Sequence, residues 1–175
     1  ALDMDGTLFN TQSEITKENQ QAIRAASDRG ITVVISTGRP YVGLPKEQLF
    51  SLGVEYAITT NGAALYRLMD DALLYSDYMS PQQVCPMIEE LQKKDIHMDA
   101  FIDGGCYCVA SCRDKIDLLS MPLSIREYIK NTRVFVPDLA AYIRERQLFV
   151  QKMTLNFYRQ PDGSFLLRDD VIQFL

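Results

Sequence analysis

Asp3-Met4-Asp5-Gly6-Thr7-Leu8 stands almost at the start of the chain, with Ala1 and Leu2 before it. Side chains alternate along an extended segment, so carboxylates two residues apart at a strand end can face the same crevice. Gly6 permits a sharp turn and close backbone approach just after them. The Thr7 hydroxyl can bond back into the loop and orient Asp5. A carboxylate attacks phosphorus poorly unless the phosphate charge is neutralised, and a divalent cation with oxygen ligands does this. Asp3 is therefore a candidate nucleophile, and Asp5 a candidate acid for a leaving oxygen. By itself the run also fits a surface turn. It does not fit an EF-hand loop, which needs a third acidic ligand and a closing Glu at fixed spacing.

Outward from that run the texture alternates. Thr16 can cap a helix over 17–29, with Ile23 and Ala26 inward and Gly30 as its stop. Ile31-Thr32-Val33-Val34-Ile35 is nearly continuous in β-branched residues, as suits a parallel strand covered on both faces. A second helix is expected over 42–52, and Tyr56-Ala57-Ile58-Thr59 is a third strand closed by Asn61-Gly62. Strand, helix, strand, helix, strand predicts an α/β fold with a Rossmann-like parallel sheet core. Ligands of such sheets bind beyond the carboxyl ends of the strands. Three polar clusters stand there: Asp3 to Thr7, Thr37-Gly38-Arg39, and Asn61-Gly62. Thr37 and Gly38 offer a hydroxyl and backbone N–H groups to a phosphate oxygen. Arg39 can grip phosphate or pair with a carboxylate. Asn61 can touch substrate or simply make a turn.

After Asn61 the pattern changes. Segments 63–66 and 73–78 read as a hairpin, and Ser80-Pro81 opens a helix over 82–94. Segments 98–102 and 107–110 flank Asp103-Gly104-Gly105 as a second hairpin. Helical stretches follow near 125–130 and 139–146, then a strand within 150–158. This half reads as an inserted α+β domain, with residues 1–78 as part of the sheet core and 79–175 as the insert.

Composition narrows the function classes. The 175 residues are 47% apolar and carry a net charge of −5 without a block of Lys or Arg. That argues against nucleic acid or an anionic membrane as partner. No apolar run approaches the ~20 residues of a membrane span, and the start is neither a signal nor a transit peptide. The four cysteines do not suggest a disulfide framework in a chain of this size, so a reducing, cytoplasmic setting is expected. Cys106-x-Cys108-x₃-Cys112 lacks paired C-x₂-C knuckles and has no neighbouring histidine in sequence, since the one histidine is His97. It is expected to be buried strand cysteine rather than a zinc site.

Asp3-Met4-Asp5-Gly6-Thr7-Leu8, Ser36-Thr37-Gly38-Arg39-Pro40 and Thr60-Asn61-Gly62-Ala63 together resemble the haloacid dehalogenase-like hydrolase superfamily. Within it the chain resembles the Cof-type phosphatase branch, with a large α/β cap. The strong motifs end near Ala64. The resemblance implies an aspartyl-phosphate intermediate on Asp3, with Asp5 as the acid that later activates water. It implies Mg²⁺ held by the Asp3 side chain and the Asp5 backbone carbonyl, with Thr37 as the phosphate-binding hydroxyl. The cap would close over the crevice and select the leaving group. The expected partner is a small phosphorylated metabolite, and the expected state a monomer or weak homodimer.

One departure stands out. The family's phosphate-steadying Lys and its late Gly-Asp-x-x-x-Asp metal loop do not occur before Leu175. Lys152 fits a cap strand better than that catalytic position, and Asp169-Asp170 fits a helix start. The expectation is a piece of a longer enzyme, ending inside the cap and inactive by itself. A non-catalytic phosphate-binding or regulatory protein and a phosphomutase of the same fold are the competing readings.

Overall fold

The computed structural model describes residues 1–10, 12–165 and 167–175. The chain forms two compact units, Ala1–Asp77 and Tyr78–Leu175.

The first unit holds α1 (Lys17–Ser27), β1 (Val34–Ser36), α2 (Lys46–Ser51), β2 (Tyr56–Thr59), β3 (Ala64–Arg67) and β4 (Ala72–Ser76), with sheet order β1-β2-β3-β4. β1 and β2 run parallel, with Ile35 opposite Ala57. β3 and β4 continue the sheet antiparallel, as the hairpin pattern predicts. On the other side of β1, Leu2 bridges Ile35 in parallel. The Leu2 N–H donates to the Val34 carbonyl and the Ser36 N–H to the Leu2 carbonyl, each at 2.8 Å. This short extension fixes the entry to Asp3.

Local chemistry sets the element ends. The Thr16 hydroxyl accepts from the Asn19 N–H at 3.3 Å, so α1 begins at Lys17. The strand after it starts later than 31 because the Ile31 N–H still donates to the Ala26 carbonyl, closing the helix through a left-handed Gly30. The helix expected over 42–52 is broken. Tyr41–Gly43 forms one 3₁₀ turn, and α2 begins only after Pro45, which has no N–H to give and crowds the preceding turn. Gly53 follows α2 at φ +88, where an added Cβ would lie 2.3 Å from Ser27 Oγ. Met4, Leu8, Ile23, Ile35, Leu49 and Ala57 belong to the buried core of this unit.

The second unit holds α3 (Pro81–Gln92), β5 (His97–Ile102), β6 (Gly105–Val109), α4 (Leu123–Thr132), β7 (Val134–Val136), α5 (Leu139–Arg146), β8 (Lys152–Asn156) and α6 (Arg168–Phe174). Its sheet order is β7-β6-β5-β8, with β6–β7 parallel and the other pairs antiparallel. A 3₁₀ segment, Ala110–Leu118, joins β6 towards α4. Every residue of β5 is buried. Met98, Ala100 and Ile102 share a core cluster with Val84, Ile88 and Leu91 of α3 and with Leu139 and Ile143 of α5. By alternation, His97, Asp99 and Phe101 face the other way. Ile116, Leu119, Ile129 and Tyr158 form a separate cluster. Among the described residues no helix is long and apolar enough to cross a membrane.

Candidate active site

The loop 3–9 turns sharply because Gly6 adopts φ +79. Its ends are tied by backbone hydrogen bonds from Leu8 N–H to the Asp3 carbonyl at 3.2 Å and from Phe9 N–H to the Met4 carbonyl at 2.9 Å. Met4 and Leu8 point into the core, while Asp3 and Asp5 stay exposed. A crevice of about 500 Å³ lies here, lined by Ala1, Asp3, Ser36, Thr37, Gly38 and Asn61. The ends of the Leu2 bridge, β1 and β2 thus bring Asp3, Thr37, Gly38 and Asn61 to one place.

The loops after β1 and β2 are laced together. The Thr37 N–H donates to the Ile58 carbonyl at 2.9 Å, the Thr60 N–H to the Arg39 carbonyl at 3.0 Å, and the Asn61 N–H to the Thr37 carbonyl at 3.2 Å. The Arg39 N–H donates to Thr37 Oγ1 at 3.2 Å. With that lone pair used, the Thr37 hydroxyl keeps its proton for an acceptor in the crevice. Thr60, Asn61 and Gly62 all have positive φ, at 52, 59 and 99. A β-branched residue there is strained, and such strain collects at functional sites. The sequence carried no signal for it beyond Asn61-Gly62.

Two side chains choose partners that spacing could not decide. Arg39 places its fork on Asp5, with Nη2 to Oδ1 at 2.6 Å and Nε to Oδ2 at 2.9 Å. Of its two sequence-stated roles, the structure displays carboxylate pairing. Thr7 Oγ1 reaches Asp3 Oδ2 at 3.4 Å, so its side-chain contact is to Asp3 and not to Asp5 as expected. The cause is the turn at Gly6, which carries the chain back over its own start. Tyr41 stacks on Tyr66 with ring centroids 3.9 Å apart and donates to Asp71 at 2.6 Å. Asp71 raises the Tyr41 phenol further above its ordinary range, the larger cause being burial.

In the second unit, Lys152 lies on β8 with its ammonium 4.7 Å from the Phe101 ring centroid. Burial lowers its proton affinity. The cysteine run 106–112 is buried as expected. The expected distance from histidine is corrected, because antiparallel pairing of β5 with β6 sets His97 beside Cys108.

The sequence and the fold have relatives among known proteins. The family model described as haloacid dehalogenase-like hydrolase matches residues 1–156. The 5-amino-6-(5-phospho-D-ribitylamino)uracil phosphatase YcsE of Bacillus subtilis is 42% identical over 84 residues, covering 45% of this chain and 33% of its own. Phosphatase YwpJ of the same organism is 28% identical over 120 residues, covering 67% of this chain and 41% of its own. The chain therefore spans well under half the length of these two relatives. A solved haloacid dehalogenase-like hydrolase from B. subtilis superposes with a TM-score of 0.75 at 19% identity, over 99% of this chain and 65% of that one. Its likeness is one of fold. Sequence match, fold and the carboxylates at the strand ends agree, and the chain belongs to the haloacid dehalogenase-like hydrolase family.

Proposed function

We propose that the intact protein hydrolyses small phosphate monoesters with Mg²⁺, passing the phosphoryl group through Asp3. The observation that carries this reading is the crevice itself, which gathers an exposed carboxylate, a buried hydroxyl, a glycine and an amide at the strand ends. Relatives named as phosphatases support it, one of them for a phosphorylated ribityl compound.

The donors present suit Mg²⁺. Asp3 and Asp5 offer oxygens, and no His or Cys lines the crevice among the described residues. Mg²⁺ keeps several waters and is commonly held through one or two carboxylates. The Asp3 side chain and the Asp5 backbone carbonyl would hold it. Its contribution when bound is to neutralise phosphate charge.

Asp3 attacks phosphorus, and the ester P–O bond breaks. Asp5 gives its proton to the departing oxygen, then takes one from the water that cleaves the Asp3 acyl phosphate. Asp5 must leave its fork with Arg39 to carry that proton, since both of its oxygens accept from the guanidinium in the structure. The Thr37 hydroxyl and the Gly38 N–H grip the non-bridging oxygens, and Asn61 positions the substrate. Phosphoryl transfer of this kind depends mostly on positioning and charge stabilisation, which the laced loops supply.

The test is release of phosphate by the intact protein from an aryl phosphate, sugar phosphates and pyridoxal phosphate. EDTA should lower the rate at least ~100-fold, and excess Mg²⁺ should restore it. Turnover indifferent to EDTA, or none with any ester, would overturn the proposal.

A further inference from the structure

The second unit contains a buried group of side chains that phosphoryl transfer does not use. His97, Asp99 and Cys108 place their donor atoms within 4.8 Å of one another. His97 Nε2 lies 3.4 Å from Asp99 Oδ1 and 3.6 Å from Cys108 Sγ. These gaps are long for hydrogen bonds to nitrogen and oxygen, which centre nearer ~2.9 Å. They match the edges of a zinc tetrahedron, about 3.4–3.6 Å for bonds of ~2.0 Å to N or O and ~2.3 Å to S.

The histidine is short of partners. It is fully buried, its Nδ1 has none among the described residues, and Nε2 makes only the two long approaches. Buried polar nitrogens are normally satisfied at ordinary distance. Asp99, by contrast, is held. Arg133 Nη2 donates to Oδ2 at 2.9 Å and Nε to Oδ1 at 3.3 Å. A ligating carboxylate is typically oriented by such an outer hydrogen bond.

The Cys112 thiol donates to the Ile96 carbonyl at 3.4 Å. A cavity of about 40 Å³ is lined by residues including Ile96, Met98 and Val109, the chain neighbours of His97, Asp99 and Cys108.

We propose that His97, Asp99 and Cys108 supply three ligands of a tetrahedral site for zinc or a similar borderline-soft divalent cation, the fourth position falling to solvent, distinct from the oxygen-lined crevice. Binding releases the proton of the Cys108 thiol. The Cys108 thiolate and the Asp99 carboxylate then offset the two charges of the dication. Antiparallel pairing makes the site, because Asp99 stands opposite Cys108.

The experiment uses the reduced, metal-free intact protein, titrated with Co²⁺ and then with Zn²⁺. The expected result is a thiolate-to-cobalt charge-transfer band that saturates at one equivalent, is bleached by Zn²⁺ and is untouched by Mg²⁺. Oxygen ligands in the crevice cannot produce that band, so Asp3→Asn should retain it. Cys108→Ser and His97→Gln should weaken binding at least ~100-fold. Cys85→Ser, which alters a thiol bonded to the Ala140 carbonyl, should not. Zn²⁺ should also shield thiols of the unmutated protein from alkylation, a readout that needs no variant to fold. Absence of the band in protein folded by circular dichroism, or an unchanged band in folded Cys108→Ser, would overturn the site.

Discussion

Asp3→Asn in the intact protein is expected to lower turnover of a phosphate monoester by about four orders of magnitude or more, since loss of a nucleophile removes the whole covalent route. The substitution preserves shape and keeps an oxygen towards the crevice, so folding should be unaffected. Asp3 is exposed, and its loop is tied through its backbone carbonyl as well as through the 3.4 Å contact from Thr7 to its carboxylate, which an asparagine oxygen can still accept. Substrate should therefore still bind, and KM should change far less than kcat. Burst-phase measurement with an aryl phosphate separates the steps: the unmutated protein should yield one equivalent of phenol ahead of steady state if dephosphorylation is slower, and the variant none. Equal rates from the two proteins would remove Asp3 from the chemistry.

The second large effect concerns stability. Asp99 and Arg133 are an ion pair with side chains 1% and 6% exposed. Removing one partner of such a pair leaves an uncompensated buried charge and costs about 3–5 kcal/mol. Arg133→Ala should therefore sharply lower the urea midpoint of the second unit. Arg133 also lies 5.3 Å from the Tyr128 ring centroid and 5.8 Å from that of Phe101, contacts that alanine forfeits. The double change Arg133→Met with Asp99→Leu removes both charges and keeps volume, and should recover most of the loss. Circular dichroism during urea unfolding reads both variants. If Arg133→Ala unfolds at the unmutated midpoint, the pair contributes nothing to that unit.

What could be read beforehand follows the range of the forces involved. α5 matches the expected 139–146, and Asp138 caps it, its carboxylate accepting from the Ala141 N–H at 2.9 Å. β2 was legible from four residues of suitable propensity before a turn signal. The carboxylate pair and the strand-end loops were legible because each is a short run whose meaning lies in adjacent residues. Partner choice across the fold was not. Arg39 and Asp5 are separated by 34 positions and meet only because strand ends converge. His97 and Cys108 meet only in the realised register of β5 on β6. The helix expected over 42–52 left Pro45 out of account, and the backbone chemistry of proline breaks it.

β5 is hydrogen-bonded to β6 on one edge and β8 on the other, and every one of its residues is buried. Its amides can therefore reach deuterium only when the second unit opens as a whole, so their exchange rate measures that unit's global unfolding free energy. β4 is the opposite case: it ends its sheet, pairs on one side only with β3, and exposes Leu73, Leu74 and Tyr75. Deuterium enters there through local fraying. A single labelling time course thus carries two clocks, a fast one at the hairpin 64–76 and a slow one at the strand that holds His97 and Asp99.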